Sequence, residues 1–248
     1  MIITAKGVGI MADNNNEKYE LELSNLEAFA RQYPDPNSRM EALKQAAMPF
    51  YELLTYYECA IDEIVTKFNI LNKEYSLNNE QNPIESIQSR VKSMESLVDK
   101  INRKNIPFTI ESVVNNINDI AGVRVVCKFP EDVYKVRDGL LLQDDIHLLE
   151  EKDYIRHPKP NGYRSLHLIV ETPIFLSTGK KLMKVEIQIR TIAENFWAAL
   201  EHQLNYKKDL PEIASIKEEL NKLAEESANL DNRMEILKHK IMKLNGDE

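Results

Sequence analysis

Glycine and cysteine are scarce in this chain, positive charge is in deficit, and long apolar runs are missing. Seven glycines occur in 248 residues: Gly7, Gly9, Gly122, Gly139, Gly162, Gly179 and Gly246. None of them builds G-x-x-x-x-G-K-[ST] or G-x-G-x-x-G, so both common glycine-loop cradles for phosphate are excluded. The two cysteines, Cys59 and Cys127, sit in E-C-A-I and V-V-C-K-F. Such surroundings suit reduced, core-type thiols, and two distant thiols cannot supply a zinc framework. No apolar run approaches the ~18–20 residues needed to span a bilayer. The N-terminus, M-I-I-T-A-K-G-V-G-I, lacks the basic start and apolar stretch of a secretion signal. Residues 1–16 read as a flexible leader, and the cytoplasm is the expected compartment. With 32 Lys+Arg against 40 Asp+Glu the net charge is −8, which disfavours a DNA-coating role, since phosphate contacts need Lys and Arg.

What is present is an ordinary globular composition, 43% hydrophobic and 29% charged, long enough for one large domain or two small ones. Residues 17–80 read as N-terminal helices. Leu21, Leu23, Leu26, Phe29 and Ala30 form a first apolar stripe that stops at Pro34–Pro36. A second runs through Met40, Leu43, Ala47, Phe50, Leu54, Tyr57, Ile61, Ile64, Phe68 and Leu71 in steps of three and four, with a kink or break expected at Pro49. Between 81 and 210 short apolar runs alternate with amphipathic stretches, the pattern of an α+β core. Strands are expected near Ile84–Val91, Val123–Phe129, Ile146–Lys152, Ser165–Glu171 and Met183–Ile189. Helices fit Met94–Arg103, Ile110–Ile117, Pro130–Leu142 and Thr191–Tyr206, and Gly179 with Lys180 reads as a hairpin turn. In 211–248, Ile213, Ile216, Leu220, Leu223, Ser227, Leu230, Met234, Leu237, Ile241 and Leu244 step 3-4 throughout. That spacing is a seam for one partner helix, in cis or in trans, with self-association the favoured reading.

Three segments carry residue types with chemical consequences. In N-D-I-A-G-V-R-V-V-C, Asp119 stands before an apolar strand and Arg124 lies within it. An Asp in such a place commonly shapes a turn, but a guanidinium among Val and Cys needs an anion or an aromatic face. In K-V-E-I-Q-I-R-T, alternation puts Glu186, Gln188 and Arg190 on one face and Val185, Ile187 and Ile189 on the other. Glu186 and Asp119, from two strands of one sheet, are suited to share a divalent ion with phosphate oxygens, as Mg²⁺ prefers. The loop Y-I-R-H-P-K-P-N-G-Y-R-S-L-H holds Arg156, Lys159, Arg164, His157 and His167 without an acid, and Tyr163 beside them suggests a base-stacking ring. A further basic stretch holds Arg90, Lys92, Lys100, Arg103 and Lys104. Two basic sites and two carboxylates suffice for two nucleotides and a metal.

Four ordered motifs, I-x-S-R-V-K-S, N-D-I-A-G-V-R-V-V-C, K-P-N-G-Y-R-S-L-H and V-E-I-Q-I-R-T-x-x-E-N-F-W-A-A-L-E-H, carry a resemblance. Across about residues 40–210 the chain resembles the synthetase domain of the RelA/SpoT family, and more narrowly a small alarmone synthetase. The resemblance implies a nucleotidyltransferase-like fold, a mixed sheet of about five strands with flanking helices. It implies transfer of the β,γ-pyrophosphate of ATP to the ribose 3′-OH of GTP or GDP, forming (p)ppGpp and AMP. By the same likeness Asp119 and Glu186 are the magnesium carboxylates, and Glu186 also orients or deprotonates the 3′-OH. Arg90 and Arg124 sandwich the adenine, while Lys92, Lys100 and Arg103 hold ATP phosphates. Tyr163 stacks on guanine, Asn195 contacts the base, and Lys159, His167 and Gln188 line the acceptor site. Glu201 is a lesser candidate, and Trp197 and His202 read as structural.

Long members of the family carry a hydrolase domain marked by an adjacent His-Asp pair. None of the five histidines here precedes Asp, so synthetase activity alone is expected. Small members are typically homotetramers, and some bind (p)ppGpp as an allosteric ligand, for which the sequence offers no residue. Two rival readings stand beside this one. One is a nucleotidyltransferase of the polymerase-β type, which would release pyrophosphate rather than AMP. The other is a non-catalytic regulator that binds guanine nucleotide or RNA through the basic loop, with nothing further supporting RNA.

Overall fold

A computed structural model describes residues 32, 35–77, 82–204 and 213–245. The chain divides into two compact units, Met1–Glu52 and Leu53–Glu248. The first unit contributes the opening turns of helix α1 (Pro36–Leu77). Asp35 caps this helix, its carboxylate accepting the Ser38 amide at 3.0 Å, and Pro36 takes the first helical position, where its missing N–H costs nothing. The earlier stripe, Leu21–Ala30, lies outside the described residues, as does the leader. The expected kink or break at Pro49 is not a break: α1 continues through it as one 42-residue helix. Proline there removes a single backbone donor, and the helix is anchored downstream by Leu53, Tyr57, Ile61, Ile64, Phe68 and Leu71, all buried.

The second unit is built on a mixed five-stranded sheet of order β1-β2-β5-β4-β3. Its strands are β1 (Ile84–Val91), β2 (Ala121–Cys127), β3 (His147–Asp153), β4 (Leu166–Leu176) and β5 (Gly179–Thr191). Only β2 and β5 run parallel; the other three pairings are antiparallel. The sheet has the expected strand number, but β4 and β5 reach further than apolar alternation predicts. The outer end of β5, Gly179–Leu182, is exposed and held by its pairing with β4, whose Thr172, Pro173 and Ile174 are buried while Phe175 is 73% exposed. The turn itself is Ser177–Thr178, closed by Leu176 opposite Gly179, which places Gly179 at the start of β5 rather than within the turn.

Side-chain alternation divides the sheet into two faces. Val123, Val125 and Cys127 of β2, Leu166, Leu168 and Val170 of β4, and Val185, Ile187 and Ile189 of β5 are buried on one. Helix α4 (Pro130–Leu141) packs on β2 and β5, and the C-terminal end of α1 touches α4 at Tyr75, whose hydroxyl donates to the Lys135 carbonyl at 3.3 Å. Gly139 permits that approach: a Cβ there would meet the Tyr75 hydroxyl at 2.5 Å. The other face is polar and carries the candidate site. Helices α2 (Met94–Lys104) and α3 (Ile110–Asn116) lead into it, capped by Ser93 and Thr109, whose hydroxyls accept the amides of Ser96 and Ser112. Helix α5 (Ile192–Leu204) opens with a reciprocal capping box. The Glu194 carboxylate accepts the Thr191 amide at 2.9 Å, and the Thr191 hydroxyl accepts the Glu194 amide at 3.1 Å.

Helix α6 (Ile213–Asn245) packs against α5 and touches α4. It turns Leu220, Ala224 and Asp231 inward, with half-buried Ala228, Glu235, Lys238 and Met242 continuing that face. The 3-4 seam read from the sequence lies mostly on another side. Leu223, Leu230, Met234, Leu237, Ile241 and Leu244 are exposed. Helix α6 thus meets its own domain without using most of that seam. Among the described residues no helix is long and apolar enough to cross a membrane.

Candidate active site

The parallel pairing of β2 with β5 sets the geometry. Asp119 lies in the short N-D-I connection between α3 and β2, and Gly122 of β2 stands opposite Glu186 of β5. That register puts Glu186 beside the start of β2, so both carboxylates reach one cleft, open to solvent. Gln88, Ser89, Arg90, Gly122, Arg124 and Gln188 line it with them. One transverse row crosses the polar face, from Gln88 through Arg124, Gln188 and His167 to Lys152.

Cations crowd Asp119. The Lys100 ammonium lies 2.5 Å and the Lys92 ammonium 3.3 Å from its Oδ2. Burial pushes the Asp119 carboxyl upward, but the two lysines outweigh it and hold the group below the usual carboxylate range. Its other oxygen, Oδ1, is buried without a hydrogen-bond partner. Glu186 shows the same balance: burial raises it, His167 lowers it more, and Asp119 opposes ionisation from across the cleft. His167 Nδ1 lies 3.4 Å from Glu186 Oε1, and the Gln188 amide donates to Glu186 Oε2 at 3.2 Å. Both carboxylates are therefore ionised at neutral pH. Arg124 is held below the usual arginine range, first by burial and then by Arg190 and Arg90, with Tyr163 opposing; its Nε is buried and unpartnered.

Beyond Glu186 the site changes character. The Tyr163 hydroxyl lies 2.8 Å from His167 Nε2 and accepts from Arg190 Nη2 at 2.5 Å, while that same nitrogen donates to Gln188 Oε1 at 2.8 Å. The Lys159 ammonium sits 4.7 Å from the Tyr163 ring centre and 4.5 Å from that of Tyr154. Tyr163 packs against the cluster of Trp197, Ala198, Leu220 and Ala224, so its ring is backed by α5 and α6. Gly162 fits this loop for two reasons: its φ is +83°, and a Cβ would meet Ala224 Cβ at 2.5 Å. The Asn161 amide donates to Glu201 at 3.1 Å, tying the loop to α5.

A model of the region found in RelA and SpoT proteins matches residues 89–210. The GTP pyrophosphokinase YwaC of Bacillus subtilis (strain 168) is 44% identical over 204 residues, 82% of this chain and 97% of that one. The chain belongs to the RelA/SpoT family. Among solved structures, the small alarmone synthetase 1 of Bacillus subtilis bound to its product pppGpp superimposes with a TM-score of 0.71 at 35% identity, over 78% of this chain and 98% of that one. The same synthetase bound to AMPCPP gives 0.67 at 33% identity, over 79% and 99%. This RelA/SpoT chain thus stands among small alarmone synthetases in sequence and in fold.

The structure brings Arg90, Asp119, Arg124, Glu186 and Gln188 into the cleft, with Lys92, Lys100 and His167 joined to its carboxylates. Tyr163 and Lys159 adjoin it through His167 and Arg190. Arg103 is exposed in the last turn of α2 and Asn195 is half-buried on α5; neither lines the cleft. Trp197 is buried and its indole N–H donates to the Leu220 carbonyl at 2.9 Å, a structural role as expected. Gln88 and Tyr154 were not singled out by the sequence. Gln88 sits two residues before Arg90 on the same strand face, so alternation from Arg90 points to it.

The donors present fit a hard divalent ion. Two oxygen ligands reach one cleft, and one carries a buried oxygen with no partner. No group of three His, Cys, Asp or Glu among the described residues could hold a metal unaided. Nucleotide phosphates would have to complete the coordination, which is how Mg²⁺ commonly binds.

Proposed function

We propose that this chain transfers the β,γ-pyrophosphate of ATP to the ribose 3′-OH of GTP or GDP, producing pppGpp or ppGpp and AMP. The observation that carries this reading is the meeting of Asp119 and Glu186 in one cleft, with cations on one flank and an aromatic, hydrogen-bonding surface on the other. Glu186 takes the proton of the 3′-OH as that oxygen attacks the β-phosphorus. The bond from the β-phosphorus to the bridging oxygen of the α-phosphate breaks, and AMP leaves with the electron pair. Arg90 and Arg124 stack on the adenine, their planes replacing a glycine loop. Lys92, Lys100 and Arg103 neutralise ATP phosphates. Tyr163 stacks on guanine, Asn195 contacts that base, and Lys159, His167 and Gln188 hold the acceptor's ribose and phosphates.

Asp119 and Glu186 would hold Mg²⁺, which when bound neutralises charge on the transferring phosphates. The likeness to a synthetase solved with pppGpp and with AMPCPP supports both nucleotide sites. The synthetase core spans 81–210, between helical flanks at 17–80 and 211–248 that build a homotetramer in the cytoplasm. The exposed seam of α6 supports self-association, because Leu223, Leu230, Met234, Leu237 and Ile241 form one uncovered stripe.

Incubation with ATP, GTP and Mg²⁺ followed by anion-exchange chromatography is expected to yield AMP and a guanosine pentaphosphate in equal amounts. Release of pyrophosphate without AMP would overturn the reading in favour of nucleotidyl transfer, and no turnover would overturn it in favour of a binding protein.

A further inference from the structure

Arg190 is the most deeply buried cation of the polar face, with 4% of its surface exposed. A desolvated guanidinium ordinarily sits against a carboxylate. Among the described residues Arg190 makes no ion pair within salt-bridge distance. Its hydrogen-bond partners are two neutral groups, the Tyr163 hydroxyl at 2.5 Å and Gln188 Oε1 at 2.8 Å, and its Nε is unpartnered. Its cross-strand neighbour on β2 is Val126, so an apolar side chain would suit the position if packing were the only requirement. Burying a charge here costs stability, and what it gains is the placement of Tyr163 and Gln188.

The donor and acceptor inventory adds a direction to that placement. Arginine can only donate, so the Tyr163 oxygen accepts from Arg190, leaving its single hydrogen free for His167 Nε2 at 2.8 Å. A ring nitrogen that accepts leaves the proton on Nδ1, which faces the acceptor-only carboxylate of Glu186 at 3.4 Å. One assignment satisfies every member: Arg190 to Tyr163, Tyr163 to His167, His167 to Glu186.

We propose that Arg190 is a positioning residue for the acceptor nucleotide, locking Tyr163 and Gln188 in place and fixing the hydrogen-bond direction that ends on Glu186. At 4% exposure it acts through these residues and not by touching substrate. The proposal rests on the reading of this cleft as a pyrophosphokinase site and deepens it.

The test is steady-state kinetics with ATP and GTP varied in turn, on the full chain carrying Arg190→Met, Arg190→Lys, Tyr163→Phe, or Arg190→Met with Tyr163→Phe. Loss of charge-assisted hydrogen bonds of this type predicts that Arg190→Met raises the KM for GTP about tenfold or more, with the KM for ATP within about twofold. Arg190→Lys keeps a donor and recovers most of the loss. Tyr163→Phe keeps the ring but not the hydroxyl, shows a smaller split of the same sign, and adds little in the Arg190→Met background because both remove one contact. Equal increases in both KM values, or additive effects in the double variant, would overturn the proposal. Should Arg190→Met fail to fold by circular dichroism, Tyr163→Phe carries the test alone, and no KM split there is equally fatal. A wild-type chain that forms no AMP would sink the pyrophosphokinase reading and this proposal with it. An active wild type whose variants lack the split would sink only the role of Arg190.

Discussion

The two flanks of the cleft solve the problem of holding a nucleotide by different physics. On the donor flank Lys92, Lys100 and Asp119 form a partly exposed charged cluster supplied by residues 90–124, a single β1–α2–α3–β2 passage. On the acceptor flank Tyr163, His167, Gln188 and Arg190 form a compact hydrogen-bonded chain, backed by Trp197, Leu220 and Ala224 from two further helices. Phosphates need positive charge close by, which the Lys92 and Lys100 ammoniums beside Asp119 are placed to supply. A base and a ribose hydroxyl need fixed planes and fixed donors, which come from packing. The donor flank is local and electrostatic; the acceptor flank is assembled across the fold.

Glu186 stands on the border between the flanks, so its removal is expected to have the largest effect. Glu186→Gln preserves side-chain shape while abolishing the proposed base and turning one of the two oxygens that face His167 and Gln188 into a donor, and loss of a positioned general base costs about 10²–10⁴-fold in turnover. Single-turnover AMP formation should fall within that range, with calorimetric affinities for AMPCPP and GTP changed by less than about fivefold. Normal turnover would remove Glu186 from the chemistry. A matched collapse of both affinities would mean that the two flanks depend on one another and are not separate devices.

Lys100→Ala comes next, and it probes the donor flank alone. It removes the shorter of the two ion pairs on Asp119 and one proposed phosphate ligand, which predicts a rise of roughly 10-fold in the KM for ATP with the GTP value nearly unchanged. This is the mirror image of the split expected at Arg190. If Lys100→Ala raised both KM values together, the contrast between local and assembled flanks would collapse into one coupled site.

The same contrast explains what the sequence could and could not reveal. Arg124 was legible because a guanidinium stands out in an apolar run, Asp119 because it stands at the junction just before β2, and Glu186 and Gln188 because strand alternation assigns each a face. The helix–strand order of the core was legible for the same reason. Pairing order was not, because periodicity says which residues share a face and nothing about which strand lies next to which. The outer end of β5 escaped notice because it carries no burial signal, Lys180, Lys181 and Leu182 being exposed and held by the hairpin, and that of β4 because Pro173 interrupts the strand pattern although Thr172 and Ile174 are buried. Arg190 was visibly on the polar face, but its burial depends on Tyr163 folding back from a loop 27 residues earlier. The seam of α6 was read as one stripe, yet Leu220 of that stripe lies on the inward face, Leu220 to Met242, which is set by contacts with α4 and α5 that no local pattern announces.

The smallest effect concerns how α6 clasps the acceptor flank. Immediately after Arg190, the Thr191 hydroxyl donates to Asp231 of α6 at 2.5 Å, and Glu194 lies beside them. Burial pushes Asp231 up to about 6, with Thr191 opposing and Glu235 adding to the rise. Burial likewise pushes Glu194 up to about 7, with the Thr191 amide opposing, Asp231 raising it, and Arg164 and Arg190 lowering it. Both values lie above those of the unfolded chain, so the folded protein keeps protons that the unfolded chain has released. Stability therefore falls as pH rises from about 4 to about 7, and the full cost is present above that window. Asp231→Asn retains an oxygen for the Thr191 hydroxyl and removes the charge. At pH 8 it should raise Tm by roughly 2–4 °C, on the order of 1 kcal/mol, and the gain should shrink toward zero as pH approaches 4.5. Thermal unfolding followed at several pH values checks this. A pH-independent gain would mean that packing, not proton release, sets the cost of the clasp.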